Sequence, residues 1–130
     1  MNNLFSNSTM LFTTHLGKIT FSTYYFLNLL LHNYFFADTA YQFVGFYENE
    51  NTLYAVVKQP FVQADSLTDL AQVKEFLTNN GFENTRNHDY YHPQLGLILE
   101  DLHDENVLTN QDMLYFIDTV FYLDPKVFWS

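Results

Sequence analysis

Apolar and polar positions recur along this chain in two rhythms. Between Phe21 and Phe36, Leu27, Leu30, Leu31 and Tyr34 follow helical spacing, which predicts a core helix with Thr20 or Ser22 as its cap. Ser66–Asn80 is the clearest helix: Leu70, Val73, Phe76 and Leu77 form one apolar stripe. Ser66 or Thr68 suits its cap, Asp69 favours the positive helix start, and Gly81 supplies a left-handed residue past its end. Tyr41–Tyr47 and Thr52–Lys58 are rich in Tyr, Phe and Val and read as two strands around the polar loop Glu48-Asn49-Glu50-Asn51. Pro60 has no backbone N–H, so strand pairing is expected to end there. Met1–Thr9, rich in Asn and Ser, is expected to fray, with Met10–Thr14 a short strand and Gly17 a turn. Glu83–Pro93 reads as a loop or a twisted strand pair. Leu97–Asp118 reads as apolar strand, acidic turn, short strand, polar hairpin, apolar strand and a closing carboxylate. Thr119–Ser130 either packs back on the core or continues the sheet. The sum is an α+β fold with a small antiparallel sheet.

Two carboxylates stand at the ends of apolar strands. Asp101 follows Leu97-Ile98-Leu99, and Asp118 closes Leu114-Tyr115-Phe116-Ile117. An unpaired buried charge costs several kcal/mol, so contact with a metal or substrate is the expected reason for them. The bland alternative is that Asp101, Asp104 and Glu105 are solvated loop charges. A calcium loop fails, because His103 stands two after Asp101 and the segment has no Gly. His88 and His92 lie four apart, but Asp89-Tyr90-Tyr91 and Pro93 argue against a helix, so they read as surface or packing histidines.

Composition narrows the function. At 130 residues the chain is one domain by length, and 48% hydrophobic with 19% aromatic content favours a filled core over disorder. There is no cysteine, which excludes disulfides and thiolate zinc sites. A formal charge of −10 repels nucleic acid and anionic membranes, and also ATP unless Mg²⁺ and local donors offset it. The apolar run Phe21–Phe36 is shorter than a membrane helix needs and is broken by Asn28, His32 and Asn33. No basic n-region of a secretory signal precedes Lys18.

The protein-kinase signature is H-R-D-L-x-x-x-N followed by D-F-G. Here Leu99-Glu100-Asp101-Leu102-His103-Asp104-Glu105-Asn106 is followed by Ile117-Asp118-Thr119. Asp101, Leu102 and Asn106 match, while Leu99 and Glu100 replace His and Arg, and Val120 replaces the glycine. The D-L-H-x-x-N-V-L form resembles the kinase-like branch shared with aminoglycoside phosphotransferases. The wider text resembles the kinase-like domains of bacterial polyvalent proteins from mobile elements. Leu31-His32-Asn33, Ala40-Tyr41, Val44-Gly45-Phe46, Val57–Phe61 and Gly81-Phe82 carry that resemblance with Asp101–Leu108 and Phe116-Ile117-Asp118, across residues 25–123.

The resemblance implies a partial protein-kinase-like fold within a single truncated or minimal domain, 1–130. It divides into a poorly defined segment 1–19, a small-lobe-like part with hinge 20–62, and a catalytic-loop part 63–130. It implies a Mg²⁺ and ATP site, with Asp101 as general base, Asn106 and Asp118 as metal ligands, and the backbone of Gln59 and Phe61 as hinge contacts to adenine. The alternative for Gln59-Pro60-Phe61 is an ordinary strand exit. The setting implied is the bacterial cytoplasm.

Parts of a working kinase are absent from the text. Gly17, Gly45, Gly81 and Gly96 are too dispersed for a G-x-G-x-x-G loop. Only Lys18 precedes the first helix, and that helix has no Glu to pair with it. The twelve residues after Asp118 cannot hold an activation segment and large-lobe helices. Two functions from different classes follow. One is a weak or inactive kinase-like phosphotransferase. The other is a non-catalytic acidic interaction or regulatory protein, whose exposed aromatics self-association would cover. A metal-assisted hydrolase fits less well, given the amide at position 106 and no convincing set of His ligands.

Overall fold

The computed structural model describes residues 5–15 and 19–128, with side chains from 26 to 127. The fold is mixed α+β with small antiparallel sheets, and it divides into two compact units, one up to Gln63 and one from Ala64.

In the first unit β1 (Phe5–His15), β3 (Thr52–Val62) and β2 (Gln42–Asn49) form an antiparallel sheet with β3 in the middle. Residues 5–9 thus belong to a strand and do not fray, because β3 is long enough to pair them, from Phe5↔Val62 to His15↔Thr52. Gly17 lies outside the described residues. The expected four-residue loop is tighter: β2 runs to Asn49, and Glu50 and Asn51 turn alone with φ of 51° and 64°. Two left-handed residues match the twist of a tight hairpin. Pro60 does not end β3. β2 leaves at Gln42↔Lys58, so Pro60 sits opposite Asn7 where β3 has a strand neighbour on one side only, the position a residue without N–H tolerates.

Helix α1 spans Ile19–Phe35, so Thr20 and Ser22 lie inside it and are not its cap. Its buried face also differs from the expected stripe: Leu29, His32 and then Phe36 are covered, whereas Leu30 and Tyr34 are exposed. The reason is polar. The His32 Nε2 lies 3.0 Å from the Thr39 carbonyl oxygen and 3.1 Å from its Oγ1, in the short 3-10 turn Ala37–Thr39. The Gln59 Nε2 donates to the same carbonyl at 2.9 Å. Asn33 reaches both backbone groups of Tyr41, at 2.9 and 2.7 Å. These bonds turn the His32 side of α1 inward, over an apolar cluster of Leu29, Tyr41 and Val57.

In the second unit α2 spans Leu70–Asn79, four residues later than Ser66. Its cap is Asp69, whose carboxylate accepts from the Ala71 N–H at 2.9 Å. Ser66 and Thr68 are engaged elsewhere. Ser66 bridges to Thr109, and the Thr68 hydroxyl donates to the Val107 carbonyl at 2.6 Å. The Asp65 N–H donates to the Thr109 carbonyl, and the Asp65 carboxylate accepts from the Gln111 N–H. The first residues of this unit are thereby tied to a hairpin of β7 (Val107–Asn110) and β8 (Met113–Phe116). Val73 and Leu77 bury the helix, and Leu70 and Phe76 flank them half-covered. Gly81, at φ +92°, closes the end as expected, with the Phe82 N–H donating back to the Leu77 carbonyl.

A second antiparallel sheet follows the order β4 (Glu83–Arg86), β5 (Asp89–His92), β6 (Leu97–Glu100), β9 (Val120–Leu123). Glu83–Pro93 is therefore the twisted strand pair of the two alternatives, and the C-terminal stretch continues the sheet before the short α3 (Pro125–Phe128). Leu97, Leu99, Leu102, Val107, Phe116 and Phe121 are nearly solvent-free and make the core beneath.

Candidate functional site

The segment Asp101–Asn106 leaves β6, turns, and enters β7. Leu102 anchors it, being 1% exposed. On either side of that apolar pin the chain is polar and turned outward. Asp101 adopts φ +60°, a left-handed conformation that Asp tolerates better than most side chains. The His103 N–H donates to the Asp101 carbonyl, and the Asn106 and Val107 N–H groups donate to the His103 carbonyl. The His103 Nδ1 accepts from the Glu105 N–H at 3.3 Å. The loop is thus wound on its own backbone.

Asn106 links the ends of the loop. Its Nδ2 donates to the Asp101 carbonyl at 2.9 Å, and its backbone carbonyl accepts from the Ile117 N–H at 2.9 Å. Asp118 follows Ile117 directly and is also left-handed, at φ +50°. The hairpin that brings Ile117 back is held by the ladder Val107↔Phe116 to Asn110↔Met113 and turns through Gln111 and Asp112, at φ 49° and 62°. Three sequence-predicted residues, Asp101, Asn106 and Asp118, therefore share one hydrogen-bonded framework.

The carboxylates are not buried charges, contrary to the expectation from their strands. Asp101 and Asp118 are both exposed, because each strand has already ended, β6 at Glu100 and β8 at Phe116, before its Asp is reached. Asp118 still feels the protein: partial desolvation raises its carboxyl above the usual carboxylate range. No described side chain or backbone donor bonds that carboxylate. With Asn106 Nδ2 committed to Asp101, the amide presents its oxygen as a free acceptor. A carboxylate and an amide oxygen are hard donors of the kind Mg²⁺ takes, together with water and phosphate oxygens. Among the described residues no three His, Asp or Glu side chains cluster to hold a metal by themselves.

Sequence reading gave Asp89 no role beyond opposing a helix. It sits at the start of β5, where its Oδ1 accepts from the Asp101 N–H at 3.1 Å. The neighbouring His88 carbonyl accepts from the Leu102 N–H at 3.0 Å. No local pattern marks such a contact, since it depends on the pairing of β5 with β6. His88 faces the His103 ring at 6.3 Å between centroids, and His92 is buried against Phe82, so the two histidines do not converge.

The hinge candidates belong to the first unit. Gln59 is buried, its side chain bonded to Thr39; Phe61 is exposed on the last turnless stretch of β3 before the chain passes to the second unit. Lys58 is half-buried on the same strand, and Lys18 lies outside the described residues.

Compared with known sequences, residues 4–125 match the family Kinase-PolyVal, described as serine/threonine/tyrosine kinase found in polyvalent proteins. No curated protein and no solved structure matches the chain.

Proposed function

Because this chain belongs to the Kinase-PolyVal family, the kinases of polyvalent proteins, we propose that Asp101, Asn106 and Asp118 form a Mg²⁺-ATP phosphotransfer site that is weak or inactive in this chain alone. One observation carries the reading. Asn106 bonds the Asp101 carbonyl on one side and the Ile117 N–H on the other, while its amide oxygen and the Asp118 carboxylate have no partner among the described residues.

Asp101 accepts the proton of the attacking hydroxyl, from an exposed position beside the buried loop anchor Leu102. Asn106 and Asp118 hold Mg²⁺, which when bound supplies positive charge against the phosphates. The backbone of Gln59 and Phe61 contacts adenine, as the kinase resemblance implies. Weakness follows from the missing Gly-rich loop and from Lys58, the nearest described lysine to the hinge, standing on the hinge strand itself. Those are the parts that preorganise charge around the phosphates, usually the largest catalytic term. A bacterial cytoplasmic setting on a mobile element follows from the same resemblance. Calorimetric titration with Mg²⁺-ATP tests the site. Heat of binding that disappears in Asp118→Asn is expected, and no heat at millimolar nucleotide rejects it.

A second reading, a non-catalytic acidic interaction protein, is favoured by β2. Phe43, Val44, Phe46 and Tyr47 are all about half exposed on this edge strand. Self-association through it would show as scattering mass that rises with concentration, and a strict monomer argues against it.

A further inference from the structure

The candidate loop lacks the side chains that the kinase signature places before its Asp: Leu99 is fully buried and Glu100 ends β6. Its backbone is nevertheless gripped from outside, at two consecutive amides, by two consecutive residues of the β4–β5 hairpin. The Asp89 Oδ1 takes the Asp101 N–H at 3.1 Å, and the His88 carbonyl takes the Leu102 N–H at 3.0 Å. We propose that Asp89 is a positioning residue for the phosphotransfer site, acting through the Asp101 peptide on the Asn106 amide. The claim rests on the function proposed above.

The line of bonds is short. Asp89 holds the Asp101 N–H; the Asp101 carbonyl receives the Asn106 Nδ2 at 2.9 Å; the Asn106 oxygen is left as the metal ligand. A carboxylate acceptor makes a stronger bond than a neutral one, and it faces a residue whose φ of +60° needs holding. Asp89 is itself fixed. Its carbonyl accepts from Asn84 Nδ2 at 2.9 Å and Thr85 Oγ1 at 3.2 Å, and its Oδ2 lies 3.6 Å from the Arg86 guanidinium. Arg86 is largely exposed, so that ion pair contributes little and the backbone anchors carry the rigidity.

The test uses the full chain. Loss of a group that orients a metal ligand typically costs about ten- to hundred-fold in metal affinity. Asp89→Ala is expected to raise by about tenfold the Mg²⁺ concentration at which ATP binding is half complete, with little change in melting temperature. Asp89→Val serves where a strand former is needed to keep the hairpin folded. Asp89→Asn keeps an acceptor oxygen and is expected to recover most of the loss. An unchanged Mg²⁺ dependence in Asp89→Ala, or equal loss in the Asn variant, overturns the proposal. If the wild type itself ignores Mg²⁺-ATP, the parent reading fails, and amide exchange decides the positioning role. Faster exchange of the Asp101 amide in the Ala variant but not in the Asn variant upholds it; equal exchange in all three refutes it.

Discussion

Burial takes the His32 imidazole down to about 4, against an ordinary 6.5, with the Thr39 carbonyl pulling weakly the other way. The folded form therefore holds a neutral ring that the unfolded chain would protonate earlier. Between pH 6.5 and about 4 the unfolded state binds the extra proton, so stability falls as pH drops through that window and is fully present above it. The loss amounts to roughly 3 kcal/mol by the bottom of the window. Urea unfolding followed at pH 7 and pH 4.5 checks this, and His32→Gln should flatten the slope. Asp118 runs in the opposite sense. Its carboxyl is raised by desolvation, so its charge opposes folding above the folded titration point. Asp118→Asn should hold or slightly raise the melting temperature at neutral pH while removing Mg²⁺-ATP binding. A matching loss of both would mean that Asp118 only supports the fold. The match to the kinase pattern at 101, 106 and 118 was legible as text, and the exposure of Asp101 was the solvated-loop alternative the acidic turn allowed; the exposure of Asp118 was not legible, because strand rhythm does not reveal the left-handed residue after β8.

Among the elements, those with strong periodicity were readable and their ends were not. α2 was recognisable from Val73 and Leu77, but its start moved to Asp69 because Ser66 and Thr68 bond β7, forty residues onward in the chain, which no local rule foresees. Asp69→Ala should cost about 1 kcal/mol, read by chemical denaturation, whereas Thr68→Val should loosen the β7–β8 hairpin instead. Likewise β3 ran through Pro60, since a partner on only one side makes the missing N–H harmless. The Gln111-Asp112 turn holds two non-glycine residues at positive φ. Replacing the pair by Asn-Gly should stabilise the hairpin by about 0.5–1 kcal/mol, visible as a raised denaturant midpoint.

For the molecule as a whole, charge sets the terms of encounter with any nucleotide. At −10 the chain repels ATP at long range, and that repulsion is screened over about 10 Å at 0.1 M salt. Mg²⁺-ATP association should therefore speed up as salt is raised from about 10 to 150 mM, the reverse of a basic nucleotide-binding surface. Slowing instead would point to a local cationic patch. The α+β class was legible in the chain, which divides into one compact unit up to Gln63 and one from Ala64. Of the long first strand only Met10–Thr14 was legible; its start was hidden by Asn and Ser, which read as fraying until β3 supplied a partner. Where the second unit begins, Asp65, Ser66 and Thr68 are stitched to Val107, Thr109 and Gln111. A pull on the leader of that unit is consequently delivered straight to the ribbon ending at Phe116, so mechanical load arriving along the backbone would reach the proposed site at Asn106 and Asp118 before it reached the helix.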